Sequence, residues 1–217
     1  MEGSGARPLA LARIYENYLQ LVVRDDGPVH DVRDLRGGRV VLGAAGSGAA
    51  VTGRVLLRAA GVDAGDVEVS HADLADSLDL LQAGAADAVL WSGGIPTPAI
   101  SALDRRLALR MLDLGRWAPR MARDRGYPYA ARRVPRVGYA PGPSDSATVG
   151  VPNLLLARPG LADGIADTVV EVLADEAPRL VPEFVQGLQY LSPATMIQTG
   201  EVPLHPGAVA AYRRLHG

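Results

Sequence analysis

The sequence predicts an α/β protein built on a largely parallel sheet, with helices on both faces. Three observations carry this. Strand and helix patterns alternate as β-α-β-α-β-α-β from about residue 39 to 112. The turns between strand ends and helix starts are rich in glycine. Two further extended runs, Leu19–Arg24 and Thr148–Arg158, bracket that block.

The elements follow in order. Within 9–24, LQLVVR (19–24) is the strongest strand signal and ends at DDGP, a turn. VHDVRDL (29–35) predicts a short helical turn opened by Pro28 and broken by Gly37-Gly38. Arg39–Gly43 predicts a buried strand, followed by the loop GAAGSG and a helix to about Ala60, with Gly61 just past its end. VEVSHA (67–72) predicts a strand, and Asp73 caps a helix whose Leu74, Leu78 and Leu81 recur at helical spacing until Gly84. ADAVLW (86–91) predicts a strand, Ser92-Gly93-Gly94 a turn, and Thr97-Pro98 the start of a third helix. LALRML (107–112) returns as a strand. Residues 113–147 predict an ordered, loop-rich segment that keeps Tyr127, Tyr129 and Tyr139. Helical patterns cover 162–184, bent or split at Pro178 and Pro182, and 205–217. One crossing in and one crossing out imply two lobes: 1–26 with 148–217, and 27–147.

Composition narrows the function. Of 217 residues, 48% are hydrophobic, enough for a sizeable core, and the formal net charge of −2 points to no nucleic-acid partner. All 22 basic residues are Arg, a bias that fits a GC-rich genome. The absence of Cys removes disulfides, thiolate zinc sites and thiol nucleophiles. Four scattered His residues (30, 71, 205, 216) lack metal-ligand spacing, and no metal or cofactor is expected. No apolar stretch reaches the length of a membrane span, and the first residues carry no export-signal pattern.

The loop at 43–48 fails three motif tests. Gly43 and Gly48 have P-loop separation, but Ala49-Ala50 stand where Lys and Ser/Thr are needed to reach phosphates and Mg²⁺. Val51 takes the third glycine position of a dinucleotide fingerprint. Ala45 and Ala49 flank Ser47 where a nucleophile elbow needs glycine. Two readings stay open. The loop is an ordinary cap with Ser47 bonding its own helix, or Gly46, Ser47 and Gly48 present helix-start N–H groups to a carboxylate or phosphate. WSGGIPTP (91–98) repeats the design. At the carboxyl edge of a parallel sheet the two turns could share one anion. Ser92, Gly93 and Thr97 are the candidates there; Thr97 is equally a plain cap, and Trp91 either stacks on a ligand or packs the core. Tyr15 is a hydroxyl donor to an anion or a packing residue. Arg24 pairs with a carboxylate, forms a hinge salt bridge or ends in solvent.

The pieces YLQLVVRDD, DLRGGRVVLGAAGSGAAVTGRVLLRAAG, LDLLQAGAADAVLWSGGIPTPAI, YPYAARRVPRVGYAPG, TVGVPNLLLAR and EVPLHPGAVAAYRR occur in an order that resembles the TAXI group of TRAP-transporter solute-binding proteins. The resemblance covers nearly the whole chain. It implies a type II periplasmic-binding-protein fold that captures a small organic anion, such as a dicarboxylate or glutamate, in a cleft between lobes. The anion is then delivered to TRAP membrane permease subunits. Tyr15 would face Ser47, Gly48 and the Ser92–Thr97 turn. The family usually has Thr after GSG, where Ala49 stands here. It also implies a longer start, with a signal sequence and a first β-α-β unit. On that comparison lobe one is incomplete, with self-association or reduced stability expected, and the location is extracytoplasmic. Two other readings compete: a non-binding remnant or sensory domain of this fold, or an enzyme on it. Such an enzyme needs a catalytic Lys, Cys or His, and the chain has no Lys, no Cys and no His in the candidate loops.

Overall fold

The computed structural model describes residues 7–125, 127–134, 139, 146–180 and 191–216. The strands are β1 (Leu9–Arg24), β2 (Arg39–Val41), β3 (Glu68–Ser70), β4 (Ala88–Gly93), β5 (Leu109–Met111), β6 (Ala130–Arg133) and β7 (Ala147–Ala157). The helices are α1 (Gly48–Ala59), α2 (Leu74–Gln82), α3 (Pro98–Asp104), α4 (Ala118–Arg125), α5 (Asp163–Asp175), α6 (Ala177–Leu180), α7 (Pro193–Met196) and α8 (Pro206–His216). Among the described residues no helix is long and apolar enough to cross a membrane. The chain forms two compact units, residues 1–16 with 152–217 and residues 17–151.

The second unit holds the α/β block. Its strand order runs β3-β2-β4-β1-β7-β6, with β5 also on β1. β2 lies parallel to both β3 and β4, as the alternation predicts. β1 runs antiparallel to β4, with Tyr18 opposite Gly93 and Val22 opposite Val89. Val40, Leu42, Ala88 and Leu90 face α1 through Val55, Leu56 and Ala59 in one buried cluster. Val41 and Val89 face Leu78, Leu81 and Ile100 in a second. Alternate residues of each strand thus serve opposite faces, which is what a sheet covered on both sides requires. Arg39 locks the start of β2 to that of β4: its backbone N donates to Asp87 Oδ2 at 2.7 Å and its Nη2 to Oδ1 at 2.8 Å.

α1 ends as the sequence predicts. The Gly61 amide donates to Arg58 O and the Val62 amide to Leu57 O, the paired bonds of a Schellman motif. Three expectations are corrected. The first strand is not confined to 19–24 but starts at Leu9, where four successive residues, Ala10 to Arg13, are buried. Residues 113–147 are not loop alone: a 3₁₀ turn at Gly115–Trp117, α4 and β6 form there, tied by Ala147 N donating to Asp113 Oδ2 at 3.0 Å. Ser92 and Gly93 are not turn but strand, because β1 pairs with them.

In the other unit α5 packs on α8 through Ala166, Val170, Ala208, Ala211 and Tyr212. The approach is close: a Cβ built on Gly207 would lie 2.1 Å from the Asp163 carbonyl oxygen. The helix predicted over 162–184 breaks after Asp175, three residues ahead of Pro178, which cannot donate to a preceding turn. The bend assigned to Pro182, the end of that helix and much of the tyrosine-rich stretch (135–138 and 140–145) lie outside the described residues.

Candidate functional site

The parallel pairing of β2 and β4 sets their carboxyl ends side by side, so the loop into α1 and the turn into α3 are neighbours within the second unit. This edge is where ligands of open α/β sheets bind.

Ser47 is the cap of α1, its Oγ accepting from the Ala50 amide at 3.1 Å. Its backbone carbonyl accepts from Val51 at 3.1 Å. The amides of Gly48 and Ala49, first in the helix, have no intrahelical acceptor. Both readings of the loop therefore describe it: a side-chain cap is present, and two helix-start donors remain. Gly46 turns the chain with φ 76°, a conformation that favours glycine. Gly48 is different. Its φ is ordinary, it is exposed, and a Cβ there would meet nothing within 4 Å. Nothing among the described residues requires glycine at 48; its effect is to leave space in front of the helix start.

Behind the loop lies a residue that sequence reasoning passed over. His71 Nδ1 is 3.0 Å from the Gly43 carbonyl oxygen, and its Nε2 is 2.8 Å from Arg54 Nη2. A guanidinium only donates, so Nε2 accepts and Nδ1 carries the proton given to Gly43. His71 thus holds the loop as a neutral imidazole of fixed tautomer. It lies 28 residues from Gly43 in sequence, outside both glycine-rich turns.

The second turn is held by a buried polar network. Gln20, Thr97 and Tyr139 are 0%, 7% and 0% exposed. The Thr97 amide donates to Tyr139 Oη at 2.8 Å, and Tyr139 donates to Gln20 Oε1 at 2.8 Å. Gln20 Nε2 donates to Gly94 O and to Thr97 Oγ1, each at 3.1 Å. The Thr97 hydroxyl donates to Gly94 O at 2.8 Å. Thr97 stands at the cap position of α3 but makes no side-chain cap bond; its hydroxyl closes the turn instead. Burial pushes the Tyr139 phenol above its ordinary pKa, opposed by the hydrogen bonds with Thr97.

Ser92 and Gly93 are partly exposed at the end of β4. Trp91 packs against the Val41–Leu81 cluster, and a Cβ on Gly93 would lie 2.6 Å from its Nε1. Arg24 is taken by Asp26, Nη2 to Oδ2 at 3.0 Å. Tyr15 belongs to the other unit and is 46% exposed.

Comparison with solved structures finds the same fold in XAC2383 from Xanthomonas citri bound to ATP. That match has TM-score 0.51 and 15% identity, covering 96% of this chain and 69% of that one. The periplasmic aliphatic sulphonate binding protein SsuA from Escherichia coli is similar at TM-score 0.49 and 20% identity, over 97% of this chain. The chain spans 60% of the length of SsuA. An L-cystine ABC transporter protein from Listeria monocytogenes is similar at TM-score 0.46 and 16% identity, over 82% of this chain and 62% of that one. The sequence itself matches one family model over residues 7–214, and by that match the chain belongs to the NMT1-like family.

Proposed function

We propose that this protein is a solute-binding module that takes a small organic anion at the carboxyl edge of β2 and β4. The observation that carries the reading is the open start of α1 beside the end of β4: Gly46, Ser47 and Gly48 on one side, Ser92 and Gly93 on the other. Two free helix-start amides and the dipole behind them, equivalent to about half a positive charge, suit a carboxylate without a basic side chain. Thr97 acts by shaping the turn, since its hydroxyl is spent on Gly94. Tyr15 enters as a contact from the resemblance alone. The TRAP-type permease, the TAXI assignment and the extracytoplasmic location rest on the same resemblance. The fold shared with binding proteins agrees with capture rather than chemistry.

The test is a titration of the ¹⁵N-labelled chain with glutamate, 2-oxoglutarate and succinate. The Gly46, Gly48 and Ala49 amides are expected to move with one of them. Gly48→Val, which fills the open space without backbone strain, should weaken that ligand at least tenfold, about 1.4 kcal/mol. A folded sample whose loop amides ignore all three favours a non-binding or sensory domain.

A further inference from the structure

A groove of about 380 Å³ opens beside β3, the terminal strand of the sheet, along the flank of α1. Its size falls within the range of small-molecule sites. The floor is apolar: Leu57 from α1, Val62 from the following loop, and Val67 and Val69 at β3. Arg54 and Arg58 form its basic side, with His71 beside them.

The charge there is unanswered. Arg54 and Arg58 are four apart on one helix, a spacing at which like charges repel by a few tenths of a kcal/mol. Among the described residues neither pairs with a carboxylate. Arg54 gives one nitrogen to His71, which is neutral, and its remaining donors are not spent there. One acid, Asp63, lines the groove against the two guanidiniums. The other groove of the same unit, about 310 Å³, differs. There Arg24 pairs with Asp26 and Arg36 with Asp66, so the protein neutralises its own cations.

We propose that the α1–β3 groove is a second anion site, distinct from the Gly46–Gly48 loop, and that its ligand is a monoanion with an apolar body, such as an aromatic or short aliphatic carboxylate. The guanidinium pair takes the carboxylate in fork geometry. The body lies on Val67 and Val69. A dicarboxylate is excluded by the same floor, where its second charge would lose water and find no donor.

The experiment is a titration of the ¹⁵N-labelled full chain with benzoate, benzamide and succinate. Benzoate is expected to shift the Leu57, Val67 and Val69 amides and the Arg54 and Arg58 Nε–H signals. Benzamide, which lacks the charge, and succinate, which lacks the apolar body, should leave them. The double variant R54Q/R58Q should weaken benzoate at least tenfold, and R54K/R58K should recover part of the loss. Equal binding of benzamide, wild-type affinity in R54Q/R58Q, or no groove shift at the solubility limit of benzoate would overturn the proposal. The Arg58 side chain is exposed, its carbonyl bond to Gly61 survives substitution, and circular dichroism checks both variants for folding. Because His71 joins Arg54 to the Gly43 carbonyl, the first site is read from the response of the unsubstituted chain to glutamate, 2-oxoglutarate and succinate, so either proposal can fail alone.

Discussion

At the scale of single residues, the sequence shows caps and hides networks. Ser47 and Asp73 are readable as caps because the rule is local: a short oxygen-bearing side chain three residues before the amide it accepts from. Gln20, Thr97 and Tyr139 are not readable as partners, since 77 and 119 residues separate Gln20 from the other two. Hydrophobic patterning says that Gln20 interrupts an apolar strand, and only the fold says why that is tolerated. Tyr139→Phe tests the network. It leaves the Thr97 amide without its acceptor and Gln20 Oε1 without its shortest donor, both buried. The expected cost is about 2 kcal/mol. That lowers the melting temperature by about 4–8 °C for a chain of this size, with amide shifts centred on Gly94–Thr97. A change under 1 °C would show that the turn holds itself.

At the scale of elements, the strand–helix order of the α/β block is legible because each element carries its own period and its own stop. β1 is where legibility fails. Its pairing with β4 is antiparallel and nonlocal, and it converts Ser92-Gly93 from a turn into two more strand residues. The turn consequently begins at Gly94, two residues later than local turn chemistry indicates. The α5–α8 contact is legible only in part. The PGAVAAY run is a recognisable helix, but the reason for Gly207 is the Asp163 carbonyl on another element. Gly207→Ala should force the two helices apart, costing about 3 kcal/mol, the upper end of overpacking penalties. Urea denaturation followed by circular dichroism measures this. A variant within about 0.5 kcal/mol of the parent, the range of neutral substitutions, would mean that α8 has slack.

For the whole molecule, desolvation raises a buried phenol in each unit among the described residues: Tyr139 in the second and Tyr212 in the first. Tyr212 donates to the Leu11 carbonyl at 3.0 Å. A phenol raised on folding contributes stability that is complete below the unfolded value, near 10, and is lost as pH rises toward the folded one. Stability should therefore fall with pH above about 10. In a spectrophotometric titration both tyrosines should ionise only as the protein unfolds. Reversible ionisation of every tyrosine with the fold intact would contradict the burial.

The two units also divide the molecule's light. Both tryptophans, Trp91 and Trp117, sit in residues 17–151. Trp91 is half-buried next to the proposed anion edge, while Trp117 is buried with Arg33 and Arg116 stacked 5.0 and 4.6 Å from its ring centre. Indole emission from the unlabelled protein therefore originates in one unit alone, and the other is dark at excitation wavelengths that spare tyrosine. A binding event at the β4 end and the melting of its own unit can be followed optically, without a dye and without contribution from the partner half.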